Sequence, residues 1–75
     1  MARTVTTEAH DGGLVVVDVE RCSVTAWPAR HGVGDRPSED EIDQIVALAT
    51  RAELRADYQP ERRTGSGYTY PLVRR

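Results

Sequence analysis

The chain has 75 residues, 39% of them hydrophobic, with no Phe, one Trp, three Tyr, one Cys and a formal net charge of −2. A single Cys excludes an internal disulfide, two isolated His with that Cys offer no structural zinc spacing, and the longest apolar run, residues 14–17, is far short of a membrane-spanning helix. A domain of this size buries only about 60–65% of the surface its unfolded chain exposes, which leaves a second subunit as the open route to extra stability.

The N-terminal residues lack the apolar core of a signal peptide, so a cytoplasmic protein is expected. All ten basic residues are Arg, the mark of a GC-rich coding sequence, which suits an actinobacterium or one of its phages or mobile elements. Charge is segregated along the chain. Residues 1–37 sum to −1 (four Arg, five acids), residues 38–57 to −4 (two Arg, six acids) and residues 58–75 to +3 (four Arg, one acid), which recovers −2. A local dipole of this kind points to partners rather than to fold.

The first β-rich run covers residues 4–7 and the second residues 14–19, joined through Asp11-Gly12-Gly13, whose glycines supply positive φ in a hairpin turn. Val15, Val17 and Val19 share one face of the second run. From Cys22 onward the apolar positions are even ones, Cys22, Val24 and Ala26, alternating with Ser23, Thr25 and Trp27. A period-2 strand cannot change parity without a turn or bulge near Glu20-Arg21, so two strands, or one long bulged strand, are expected. Cys22 then lies within a strand as a small hydrophobe, and Trp27 is the largest single contributor to the core. Ser23 and Trp27-Pro28 after a valine-rich strand resemble the Ser-Leu-Trp-Pro run of MbtH-like proteins. The interval here is longer by two residues and no second Trp follows, so that family is not assigned.

Residues 28–37 read as a loop closed by Pro28 and Pro37. Ser38 with Glu41 three residues on forms a capping box, and Glu39, Asp40 and Glu41 fill an acidic first turn. Ile42, Ile45, Val46, Ala49 and Ala52, flanked by Leu48, follow helical spacing, so a helix is expected over about 38–55, with Arg51 and Arg55 at its negative pole. Residues 59–67, with Arg62-Arg63 and Gly65-Ser66-Gly67, read as a flexible connection. Tyr68, Tyr70 and Leu72 share one side of a final extended segment, residues 68–73, and Pro71 assigns it to a sheet edge. The expected fold is a single α+β domain over residues 1–75: an antiparallel sheet of three or four strands with one amphipathic helix packed on it, in the order β-β-β-α-β.

Candidate chemistry is sparse. Cys22, His10 and His31 are the nucleophile and imidazole candidates, and they share no spacing that brings a thiol to a base. The acids Glu39, Asp40, Glu41 and Asp43 are accounted for by the helix start rather than by a cation, and His31-Gly32-Val33-Gly34-Asp35 lacks the phosphate-loop ending. No catalytic residue, metal, cofactor or small-molecule substrate is therefore assigned. Arg62, Arg63, Tyr68, Tyr70, Arg74 and Arg75 form the candidate binding set, since guanidinium groups neutralise phosphates and tyrosine rings stack on unpaired bases. Against that stands an internal role, with the tyrosines packed on the helix or a strand and the arginines paired with the acidic helix, Asp18 or Glu20. The expected function is a non-enzymatic protein-interaction module, an inhibitor or adaptor, whose partner is another protein or a second copy of the chain. The alternative is a nucleic-acid-binding accessory protein acting through the C-terminal Arg/Tyr segment. No membrane partner is expected.

Overall fold

In the computed structural model the chain runs β1 (Thr4–Glu8), β2 (Leu14–Asp18), β3 (Ser23–Trp27), α1 (Glu39–Thr50), β4 (Leu54–Ala56), β5 (Arg62–Thr64) and β6 (Gly67–Arg74). The structure describes residues 3–10, 12–29 and 36–75. Of the loop expected over residues 28–37, residues 30–35 lie outside the described residues, and His31 with them. The α+β class holds, with α1 packed on a curled antiparallel sheet, but among the described residues the sheet has six strands rather than three or four. Its order is β1-β2-β3-β6-β4, with β5 also pairing with β6. Among the described residues no helix is long and apolar enough to cross a membrane.

The change of parity between residues 19 and 22 is a turn. Asp18 pairs with Ser23, the Asp18 carboxylate accepts from the Arg21 amide at 3.0 Å, and the Cys22 amide donates to the Val19 carbonyl at 3.3 Å. Cys22 therefore sits in this turn with φ 53, exposed, and not inside a strand as expected. Two strands rather than one leave Val15, Val17, Val24 and Ala26 fully buried on one face, opposite Ile42, Ile45, Val46 and Ala49 of α1. Trp27 alternates to the other face and is only half-buried, so it does not anchor the core. Tyr70 is the largest fully buried side chain instead.

Helix α1 begins as expected: Ser38 has extended backbone and its hydroxyl accepts from the Glu41 amide at 3.2 Å. It ends five residues before the expected boundary. Arg51 and Ala52 adopt left-handed backbone, φ 55 and 62, and the Ala52 amide donates to the Ala47 carbonyl at 2.7 Å. Buried Thr50 braces this exit, its hydroxyl donating to the Val46 carbonyl at 2.7 Å and accepting from the Leu54 amide at 3.3 Å. The chain then reverses into β4, which pairs with the end of β6, so Arg55 belongs to a strand and not to the helix pole. Leu54, off the helical stripe in the sequence, is the residue that marks this departure.

The expected flexible connection over 59–67 is also corrected. Residues 62–64 form β5, and Thr64 pairs with Gly67 across a two-residue turn whose first member, Gly65, has φ 60. Glycine at that position is what a type II′ hairpin turn demands. The final strand, expected at an edge, is interior: β3 pairs with its residues 68–71 on one side, while β5 and β4 share the other. Pro71 is tolerated there because its backbone faces the gap between those two short strands. Its carbonyl accepts from the Asp57 amide at 2.8 Å, and the donor it lacks has no ladder partner to serve.

Candidate interaction surface

Among the described residues, strand order leaves β1 with a single neighbour, β2. The parity of its backbone follows from the hydrogen bonds at its two ends. The Arg3 carbonyl accepts from the Val19 amide at 3.0 Å, and the Ala9 amide donates to the Gly13 carbonyl at 2.6 Å. Odd residues of β1 thus face β2, and the N–H and C=O groups of Thr4, Thr6 and Glu8 point away from the sheet. The next outward amide, that of His10, donates to the Glu41 carboxylate of α1. Glu41 occupies the place an added strand's carbonyl would take.

The side chains of Val5 and Thr7 point to the helix side, opposite Val17 and Val15. Together with Ile45, Leu48 and Ala49 they line a groove of about 350 Å³ between β1 and α1, with Arg3 and Arg51 at one end. Leu48 is 83% exposed, an unusual position for a leucine beside a row of free amides. The helix runs antiparallel to β1, its start near His10 and its end near Arg3. The edge is therefore cationic where β1 begins and anionic, with Glu8 and Glu41, where it ends.

The two borders of the sheet differ. β1 is five residues, Thr-Val-Thr-Thr-Glu, without Pro, Lys or bulge. The other border is made of the three-residue strands β4 and β5, broken at Pro60 and carrying Arg55, Arg62 and Arg63. Short strands, proline and charge are the devices that keep an edge from pairing. The β1 edge is longer and carries neither proline nor bulge, and its one charged residue, Glu8, stands at its end.

The candidate Arg/Tyr set is not brought together. Tyr70 is 1% exposed and packs edge-on against Tyr58 at 4.9 Å, with its hydroxyl donating to Glu61 at 2.9 Å. Burial raises its pKa, and Arg36 opposes the shift. Tyr68 lies on the same face, half-buried, with the Arg36 guanidinium 4.6 Å and that of Arg63 5.8 Å from its ring centre. Arg36 also pairs with Glu61, which ties the entry to α1 onto β6. Arg75 binds the β4 backbone, its amide donating to the Glu53 carbonyl and its Nε to that of Leu54, both at 3.1 Å. Arg74 is exposed at the same end of β6.

Arg62 and Arg63 alternate to opposite faces of β5, and none of Arg62, Arg63, Arg74 and Arg75 forms an ion pair among the described residues. Asp18 pairs with Arg21 instead, at 3.9 Å. Arg21, Arg62 and Arg63 line an open groove of about 610 Å³ with Cys22, Ser23 and Thr69. The Thr69 hydroxyl there bridges those of Thr25 at 2.8 Å and Thr64 at 2.7 Å. No group of three or more metal-ligating side chains occurs among the described residues.

In the sequence the residues of the β1 groove carry no pattern of their own, because edge status is a property of strand order. Leu48, just beside the apolar stripe, was the one local signal. No family model, curated protein or solved structure matches the chain.

Proposed function

We propose that this chain is a protein-interaction module, an inhibitor or adaptor, that acts by binding alone and takes an extended segment of its partner along the free edge of β1. The observation that carries this reading is the contrast between the two sheet borders. The unguarded border faces outward with the amides of Thr4, Thr6 and Glu8, beside an apolar groove at Leu48. In strand addition, main-chain hydrogen bonds supply affinity and pockets for alternate side chains supply specificity. An incoming strand would lay every second side chain between β1 and α1, against Val5, Thr7, Ile45 and Leu48.

Thr6→Pro tests it selectively. Residue 6 donates outward, so proline there leaves the β1–β2 ladder intact while removing one donor from the binding row. A host protein retained by the immobilised chain and lost with Thr6→Pro supports the reading. Identical capture by both chains overturns it.

A second reading, nucleic-acid binding, is supported by Arg21 and Arg62, which line one groove together with Glu61. With Tyr70 buried, this mode relies on phosphate contacts rather than base stacking, and about two such contacts give a modest, salt-sensitive term. Fluorescence anisotropy with single- and double-stranded oligonucleotides at ~50 mM and ~200 mM salt decides it, since phosphate-driven binding weakens steeply between the two. No binding at the lower salt disposes of it.

A further inference from the structure

We infer that the segment taken up by the β1 edge is the β1 of a second copy, paired antiparallel about a two-fold axis through Thr6. The inference rests on the reading of that edge as a binding surface and adds the identity of its occupant.

Three features of the edge are self-complementary. The first is hydrogen bonding. The outward-facing residues are Thr4, Thr6 and Glu8, a set symmetric about Thr6. A two-fold there pairs Thr6 with the second copy's Thr6, and Thr4 with its Glu8, so every outward donor meets an outward acceptor. Glu8 then faces a threonine rather than another carboxylate.

The second is charge. Arg3 and Arg51 lie at the Thr4 end of the groove, and Glu8 and Glu41 at the other end. The two-fold brings the cationic end of each copy to the anionic end of the other, whereas a parallel arrangement sets like charge against like. The helix contributes to this match because its acidic start lies beside the end of β1.

The third is apolar surface. Val5 and Thr7 flank Thr6 on the helix side, and Leu48 lines the same groove. In the pair, Val5 stands opposite the second copy's Thr7, and the two Leu48 side chains flank the axis. A leucine that is 83% exposed in the single chain is thereby covered. The arrangement is isologous, one patch used twice, as closed dimers require. It merges two six-stranded sheets and removes the unguarded edge from both.

Sedimentation or light scattering from ~1 µM to ~1 mM tests this, the range in which a small interface associates. The expected mass rises from 8.3 kDa toward twice that value, with the amides of Thr4, Thr6 and Glu8 slowing in hydrogen exchange over the same range. Thr6→Pro and Leu48→Glu are each expected to weaken association about tenfold or more, through a lost donor pair and through two carboxylates at the axis. Both leave the single chain folded, which thermal unfolding at low concentration checks. A chain that stays at 8.3 kDa throughout, or a dimer that survives both variants, overturns the inference. Neither result touches the broader reading of the edge, which fails only when Thr6→Pro leaves capture of a different protein unchanged.

Discussion

The backbone amide of His10, at the end of β1, donates to the carboxylate of Glu41, in the first turn of α1. Glu41 thereby leaves its expected capping-box role half-made. Its own amide is capped by Ser38, but its side chain reaches across to the hairpin rather than back to the Ser38 amide. This contact sets the helix start beside the end of β1 and fixes the direction of charge along the edge. Glu41→Ala is expected to lower unfolding stability by about 1–2 kcal/mol, with Glu41→Gln recovering part of it, because a hydrogen bond to a charged acceptor is stronger than a neutral one. Urea titration of the three chains measures the difference.

The Tyr58 hydroxyl donates to Asp43 Oδ1 at 2.8 Å and lies 3.1 Å from the Glu39 carbonyl oxygen. Burial first, then the hydrogen bond to Asp43 and the negative charge of Asp43 and Glu39, raise its pKa well above the ordinary phenol value. A folded-state pKa raised above the unfolded one means that the stabilisation is fully present below about pH 10 and is lost as pH rises from there through the folded value. Stability should therefore fall in alkali, and Tyr58→Phe should flatten that fall while lowering stability near neutrality by about 1 kcal/mol. Denaturant midpoints against pH, read beside tyrosinate absorbance, test both.

Gly67 stands beside Trp27 on the open face of the sheet. A Cβ built there lies 2.6 Å from Trp27 Cδ1 and 2.7 Å from the Ala26 carbonyl oxygen. The ring can turn aside but the carbonyl is part of the β3 ladder. Gly67→Ala is expected to cost about 1–3 kcal/mol and to shift Trp27 fluorescence as the indole moves.

Ala52, exposed at the exit from α1, holds φ 62 without being glycine. Left-handed backbone costs an alanine about 1–2 kcal/mol, and glycine returns part of that gain through the entropy of its unfolded chain. Ala52→Gly should therefore raise stability by about 0.5 kcal/mol, seen as a higher melting temperature. Thr50→Val, two residues earlier, should lower it by about 1–3 kcal/mol, because the Leu54 amide then loses its acceptor at a half-buried site.

Much of the local structure is written in neighbouring residues. The Ser38 cap with its acidic turn, the Ile42 to Ala49 stripe, the glycine-bearing first hairpin and the parity change before Ser23 each depend on a few consecutive side chains. Those features therefore determine the α+β class and the helix start without help from the rest of the chain. Periodicity does not record which strand lies beside which. Pro71 reads as an edge marker because it lacks a donor, yet β6 is interior, since the donor it lacks would face a gap between β4 and β5. Arg55 reads as a helix-pole cation until residues 54–56 find the end of β6. The four C-terminal arginines form a cluster in the sequence, but strand alternation and the length of β6 distribute them over two faces and one end. The sequence by itself determined the first hairpin, the turn before Ser23, the helix start and the total charge along each segment. The tertiary structure decided that β1 is the free edge, that Leu48 and Arg51 stand beside it and that Tyr70 is withdrawn into the core, because strand pairing is a contest among distant segments that only the assembled sheet resolves.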